Sequence, residues 1–465
     1  MEIESSKTGF KSLPRTVKEK VVGIAKNATK IGKDDPRKVV HCAKVGLALT
    51  LNSLFYYYKP LYDGFGQSGI WAVLTVVVVF EFTVGGTLSK SVNRGCATLL
   101  AVSLGTGVVY LAQLCGHEGQ PFLLGIVVFL FAAVSTFTRF IPGIKKKYDY
   151  GVVIFILTFS MITVSGYRVE AIVEMAYQRL VTVAIGGSTC IVISLLICPA
   201  WAGDDLRNLV AGNIEKLAVS LEGFGNAYFG LGECDEDKSG GKAAAALVVD
   251  CESVLSSQAS EESLATFAWW EIRHCGLTSN PPLKQYLKVG LLARECASHI
   301  LTLSIFSSFS HPQKEEQTIE MVRRIKEPCM LICSESSKAL RELSSTIKTM
   351  THPSPAIEAH LQNSKAAMDD LKAALGTNLL LHIVPALTLA SVLTDLGGCI
   401  DHLANSIVEL SEKAHFKKHL LHRGTVNPVQ EDETIVVVIE GGTSSSQNSP
   451  EIESPNVENL DVRYM

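Results

Sequence analysis

Charged side chains are rare within the apolar runs of this sequence, and four that lie within or beside them stand out. Glu81 stands inside the run that begins at Trp71, and Lys90 and Arg94 follow in a stretch that reads as a short basic connection. Arg179 stands at the border of a later run. A charge so close to hydrocarbon is costly, and one that is retained usually faces a protein interior or a water-filled path. These four residues are therefore the first candidates for chemistry.

The two arginines have the donor geometry that carboxylates require. An arginine keeps its proton at any physiological pH, and its planar guanidinium presents a fork of N–H donors. Rings of arginine or lysine are one way in which pores favour anions over cations. Arg94 and Arg179 are therefore candidates for the lining of an anion path, and Lys90 is a weaker one. A second interpretation stays open, in which each arginine extends to the membrane surface and contacts lipid phosphate.

Glu81 fits a different role, because a free carboxylate would repel anions in such a path. We expect it to be a structural or gating partner of a nearby cation. Its position inside an apolar run also makes it the one candidate for a protonatable relay, as a proton-coupled or exchanging carrier of organic acids would need.

Three acidic residues, Asp63, Glu170 and Glu174, lie between apolar runs, in connections that we expect on the side of the membrane opposite to Lys90 and Arg94. Glu170 and Glu174 are four residues apart and share one face if their segment is helical. Hard cations prefer carboxylate oxygens as ligands, so the group is a candidate extracellular cation site. Solvated loop charge is the alternative interpretation.

The elements that must position these residues follow from the distribution of apolar residues. The chain is 47% hydrophobic with a mean hydropathy of +0.25, and its apolar residues are densest between 39 and 198. A bilayer core needs about 20 mostly apolar residues per helix. Six segments approach that length: 39–58, 69–88, 95–114, 121–137, 151–166 and 180–198.

The sequence thus predicts an all-α membrane protein with a helical domain beyond the last span. From Leu206 onward, apolar residues recur at spacings of three and four, which is typical of a helical bundle. After residue 420 the chain is polar and rich in serine, as disordered segments are. The expected parts are a cytosolic segment 1–36, six transmembrane helices in 37–200, a cytosolic helical domain in 201–420 and a disordered tail 421–465.

Basic residues decide the expected orientation. If the N-terminus is cytosolic, most lysines and arginines next to the spans lie on the cytosolic side, as the positive-inside rule requires. Both termini are then cytosolic. The residues on that side are Arg37, Lys38, Lys90, Arg94, Arg139, Lys145, Lys146, Lys147 and Arg207.

Other function classes find little support in the sequence. It contains no phosphate-binding loop, no G-x-S-x-G and no H-E-x-x-H, so we expect neither an enzyme nor a bound cofactor. A net charge of −4 without a basic, aromatic-rich stripe argues against a nucleic-acid partner. The twelve cysteines lack metal-site or disulfide spacing and are typical of buried thiols.

Three stretches resemble the plant aluminium-activated malate transporter family. They are WAVLTVVVVFEFTVGGTLSKSVNRGCATLLA, TFTRFIPGIKKKYDYGVVIFILTFSMITVSGYR and CPAWAGDDL. The resemblance covers about residues 35 to 415. One departure is that the family's W-E-P-x-H-G motif stands here as Trp270-Glu271-Ile272-Arg273-His274-Cys275, with the proline and the final glycine replaced.

The resemblance implies a passive anion channel, a homodimer in the membrane that conducts malate and inorganic anions. Arg94 and Arg179 fall on the family's pore arginines, and Asp63, Glu170 and Glu174 on its proposed aluminium-sensing acids. Lipids and small anions are the expected partners. The short N-terminal extension favours the plasma membrane over the vacuolar membrane.

Overall fold

The computed structural model describes residues 15–58, 69–167, 172–229, 239–271, 282–309, 316–375 and 384–417. The chain divides after His419, and every described residue belongs to the first of the two units. Asp63, Glu170 and the expected disordered tail 421–465 lie outside the described residues.

Seven helices make up the first half of the described chain. They are α1 Arg15–Asp34, α2 Pro36–Tyr57, α3 Ile70–Val79, α4 Val84–Gln113, α5 Gly116–Thr138, α6 Pro142–Ser165 and α7 Ile172–Leu196. Helices α4 to α7 are long and apolar enough to cross a bilayer, whereas α3 has ten residues and α2 carries Arg37, Lys38 and Lys44. Among the described residues, four helices therefore meet the criteria of a span where the sequence predicted six.

The turn expected at Lys90 and Arg94 is not there, and this part of the prediction was wrong. Helix α3 stops at Val79, Phe80 takes an extended conformation, and α4 then runs unbroken from Val84 through both basic residues. Thr83 starts α4, because its Oγ1 accepts a hydrogen bond from the amide of Gly86 at 3.2 Å. The chain therefore turns at residues 80–83.

The continuous helix changes how the basic residues relate to each other. Lys90 and Arg94 are four residues apart on α4 and share one of its faces. Helix α4 packs against α6 and α7, and α7 also packs against α3. Side chains on the inner face of α4 are consequently buried between apolar helices.

The second half of the described chain is a helical bundle around one hydrophobic core. Leu217, Ile300, Leu340 and Ile347 are among its fully buried side chains. Within the described ranges, the β contact is a single isolated bridge between Thr351 and Lys417. The helices are α8 Ala202–Phe229, α9 Ser239–Leu255, α10 Gln258–Ala268, α11 Leu283–Phe309, α12 Glu316–Thr349, α13 Pro355–Leu375 and α14 Val384–Lys413.

Candidate anion site

Arg94 lies on the inner face of α4 and is 5% exposed. Its Nη1 donates to the hydroxyl oxygen of Tyr150 on α6 at 3.2 Å. Its Nε is buried and has no hydrogen-bond partner. The guanidinium is thus held by one neutral hydroxyl, with a donor left over.

Arg179, on α7, is equally buried. Its guanidinium carbon lies 3.2 Å from the ring centroid of Trp71, and its Nη2 lies 2.6 Å from the sulfur of Met161. Both Nε and Nη1 are buried without a partner. An aromatic face and a thioether attract a cation but carry no formal negative charge.

Arg94 and Arg179 are thus two buried positive charges on helices that pack together, α4 and α7. No ion pair among the described residues involves either of them. A buried charge without a partner is costly, and so is a buried donor without an acceptor. An anion with two carboxylates would supply both the charge and the acceptors that this arrangement lacks.

Lys90 and Glu81 form an ion pair beside this site. The lysine Nζ also lies 5.7 Å from the ring centroid of Tyr150, whose hydroxyl contacts Arg94. The charge of Lys90 is therefore compensated, unlike the charges of the two arginines. Sequence reasoning missed Tyr150, since nothing in the Y-D-Y run indicates that this ring faces α4.

The acidic group expected to bind a hard cation can be examined at one position. Glu174 is exposed in the first turn of α7 and accepts a hydrogen bond from Gln178 at 3.3 Å. Asp63 and Glu170 lie outside the described residues. The residues that are described contain no cluster of three metal-ligating side chains.

A carboxylate that sequence reasoning passed over connects the membrane helices with the bundle. Glu271 is 7% exposed, and its Oε1 accepts from the amides of Gly85 at 2.9 Å and Ala202 at 2.7 Å. Its Oε2 accepts from the amide of Gly203 at 3.0 Å. One side chain thereby satisfies amides in the first turns of both α4 and α8.

Burial raises the pKa of Glu271, although the three amide hydrogen bonds oppose that shift. Glu271 could have been identified in the sequence from the Trp270-Glu271 pair, which the altered motif retains. Positions 272–275, where the motif differs, lie outside the described residues.

Further contacts join the same part of the chain to α6. The Nζ of Lys147 lies 4.3 Å from the ring centroid of Trp269, and Lys146 pairs with Glu262 at 3.6 Å. Residues 262–271 therefore contact α4, which carries Arg94, and α6, which carries Tyr150. This segment connects the bundle to two of the helices that position the site.

Comparison with known proteins places the chain in a family. The model of the aluminium activated malate transporter family matches residues 29–386. The chain belongs to this family. Arg94, Tyr150, Arg179 and Glu271 all fall within the matched part of this family member.

Several relatives match over most of their length. Aluminum-activated malate transporter 2 of Arabidopsis thaliana is 42% identical over 452 residues, 94% of this chain and 89% of the relative. Aluminum-activated malate transporter 1 of the same plant is 42% identical over 412 residues, which make up 86% of this chain and 82% of the relative. Aluminum-activated malate transporter 1 of Triticum aestivum is 41% identical over 404 residues, which make up 86% of this chain and 87% of the relative.

Proposed function

We propose that this protein is a passive channel that conducts malate, and inorganic anions with it, across a plant membrane. One observation carries the proposal: two buried guanidinium groups, at Arg94 and Arg179, have free donors and no acidic partner among the residues that the structure describes. The relatives are named malate transporters, and malate is a small dicarboxylate that such a pair of groups suits.

The driving force is the electrochemical gradient of the anion. Moving one elementary charge through 100 mV is worth about 2.3 kcal/mol, so a dianion is driven strongly out of a negative cytosol. Arg94 and Arg179 act as two sites in series, which attract the anion without trapping it. Lys90 contributes less, because Glu81 already compensates its charge.

In the proposed architecture, α2 and α3 cross the membrane together with α4 to α7, so the chain passes through the membrane six times. Both termini and the bundle α8–α14 then lie in the cytosol, and α4 enters the membrane from that side. Two subunits form the pore and contribute two arginines each, since a single chain supplies too few for a ring. We place the protein in the plasma membrane.

The competing function is a carrier that exchanges organic acids or couples them to protons. Such a carrier needs a carboxylate in the membrane that is free to take up and release a proton. Glu81 was the candidate, and its ion pair with Lys90 opposes that use. The extracellular cation site at Asp63, Glu170 and Glu174 remains a separate proposal, for control by aluminium.

Voltage clamp of cells that express the chain tests the proposal. Malate, chloride, nitrate and sulfate are supplied in turn as the permeant ion. A current that reverses at the equilibrium potential of the supplied anion supports the channel. Absence of current, combined with malate exchange by the purified protein in liposomes under a pH gradient, would show that it is a carrier.

A further inference from the structure

Helix α1 is a basic amphipathic helix ahead of the membrane domain. Its 20 residues include six basic and two acidic ones. Ile24, Ala28 and Ile31 follow the spacing i, i+4, i+7 and share one face of the helix. Lys26 and Lys33 lie on the opposite face, since each residue advances by about 100° around the axis.

The apolar row of α1 is not covered by any part of the chain that the structure describes. Ile24 is 68% exposed and Ile31 is 52% exposed, and Ala28 between them is exposed as well. An isolated helix of this length is marginal in water, because most helices are stabilised by packing of their apolar face. Something outside the described chain must therefore cover the row.

The position of α1 in the fold indicates what covers it. Asp35 alone separates α1 from α2, and it caps α2 by accepting a hydrogen bond from the amide of Arg37 at 3.1 Å. The Nη1 of Arg37 pairs with Asp205 at 2.7 Å, in the first turn of α8. The end of α1 is thus fixed at the level where the apolar helix α7 ends and the bundle begins.

The charges of α1 favour a surface of negative charge. Lys26, Lys30 and Lys33 are exposed, and no ion pair among the described residues involves them. A helix with an apolar row and a lysine-rich face is typical of segments that lie in the plane of a membrane surface. Anionic headgroups attract such lysines over a distance of about one Debye length.

We propose that α1 lies in the membrane surface and binds anionic lipid. The row Ile24, Ala28 and Ile31 enters the boundary between headgroups and acyl chains, and the lysine face contacts the headgroups. This inference goes beyond the transport proposal, because it holds whether the protein is a channel or a carrier.

Hydrogen–deuterium exchange of the full-length protein tests the proposal. The protein is placed in nanodiscs of phosphatidylcholine alone, and in nanodiscs of phosphatidylcholine mixed with phosphatidylserine. The amides of α1 should exchange at least about tenfold more slowly in the mixed lipid, because binding suppresses local opening. High salt should remove part of this protection.

Variants separate the lipid contact from other causes of protection. The double variant Ile24→Asp, Ile31→Asp should lose the protection, whereas Val22→Asp should keep it. Val22 is a matched control, because it is 52% exposed but lies on the lysine side of the helix. Lys26→Glu with Lys30→Glu should abolish the difference between the two lipid mixtures.

Two results would overturn the inference. Equal protection in both lipid compositions would remove the role of anionic lipid. Protection that survives the double isoleucine variant would mean that another part of the protein, or a second copy of it, covers the helix.

Discussion

The amide nitrogen of Gly85 lies 2.9 Å from Oε1 of Glu271, a residue 186 positions later in the chain. The contact joins the first turn of α4, the helix of Arg94, to the segment that follows α10. A side chain at position 85 would remove it, because a Cβ there would lie 2.8 Å from the Cγ of Glu271. A buried carboxylate and a glycine thus form one of the contacts between the bundle and the helix that carries the candidate site.

Removing that carboxylate should destabilise the protein. Glu271→Ala leaves three buried amides, those of Gly85, Ala202 and Gly203, without an acceptor. An unsatisfied buried donor costs about 1–3 kcal/mol, so we expect a clear fall in Tm of the purified protein. Glu262→Ala is the matched control, because within the described chain that half-exposed glutamate accepts only from side chains, Gln258 at 3.0 Å and Lys146 at 3.6 Å, and should matter little. Equal changes in Tm for the two variants would contradict the capping role.

The raised pKa of Glu271 predicts that the stability of the protein depends on pH. Burial raises the pKa of Glu271 above its ordinary value of 4.5, so the folded state binds the proton more tightly than the unfolded state. The contribution of this residue to stability is then greatest at low pH and falls as pH rises from about 4.5 through the raised pKa. Glu271→Gln cannot titrate, so the Tm of wild type relative to this variant should decrease over that range. Thermal unfolding at a series of pH values measures this difference in Tm between the wild type and the variant. A difference that grows with pH would contradict the raised pKa of Glu271.

Each arginine of the site should be required for transport. We expect Arg94→Gln and Arg179→Gln each to reduce anion current about tenfold or more, because a hydrogen bond to a charged group is worth about 1.5–3 kcal/mol. Arg139→Gln is the control, since Arg139 is partly exposed and already paired with Asp149 at 2.7 Å. Currents are measured by voltage clamp and divided by the amount of protein at the cell surface. Normal currents in both site variants would refute the assignment of the pore.

The ion pair between Glu81 and Lys90 should show energetic coupling. Lys90→Met leaves a carboxylate without its cation, and Glu81→Gln leaves the ammonium without its anion. Removing one partner usually costs more than removing both, so the double variant should recover part of the lost stability. The pair is about one-third exposed, which limits the expected coupling to about 1 kcal/mol. Thermal unfolding of the wild type, the two single variants and the double variant gives the coupling free energy. Losses of stability that are strictly additive would exclude such a coupling.

Neighbouring glycines on α7 should respond differently to a methyl group. A Cβ at Gly186 would lie 2.7 Å from the carbonyl oxygen of Ala72, next to Trp71, so Gly186→Ala must push α3 away. Such overpacking costs about 1–3 kcal/mol, and it should also reduce anion current because Trp71 contacts Arg179. At Gly187 the nearest atom is Cβ of Ser91 at 3.7 Å, an ordinary contact, so Gly187→Ala is the matched control. Similar Tm and current in the two variants would show that α3 and α7 need no close approach.

The helices α4 to α7 could be predicted because a span is a local property of the sequence. A run of about 20 apolar residues is enough to predict one, whatever the run packs against. The turn at residues 80–83 was also marked locally, by Thr83 ahead of the Gly85-Gly86 pair. It was misplaced because Lys90 and Arg94 resemble a loop when charge alone is considered, and because a 30-residue helix exceeds the length that a span requires.

Residue types and spacing were enough to find Arg94 and Arg179 beside apolar runs, as groups that could bind an anion. The surroundings of the two side chains came from the packing of the helices: Tyr150 on α6 lies against the first, and Met161 and Trp71 lie against the second. The same packing also decided that Lys90 is compensated by Glu81, and that Glu271 is buried against Gly85. The free energy of a charged side chain depends on the local dielectric constant and on the charges and hydrogen-bond partners around it. In this protein, helices far apart in the sequence supply those surroundings.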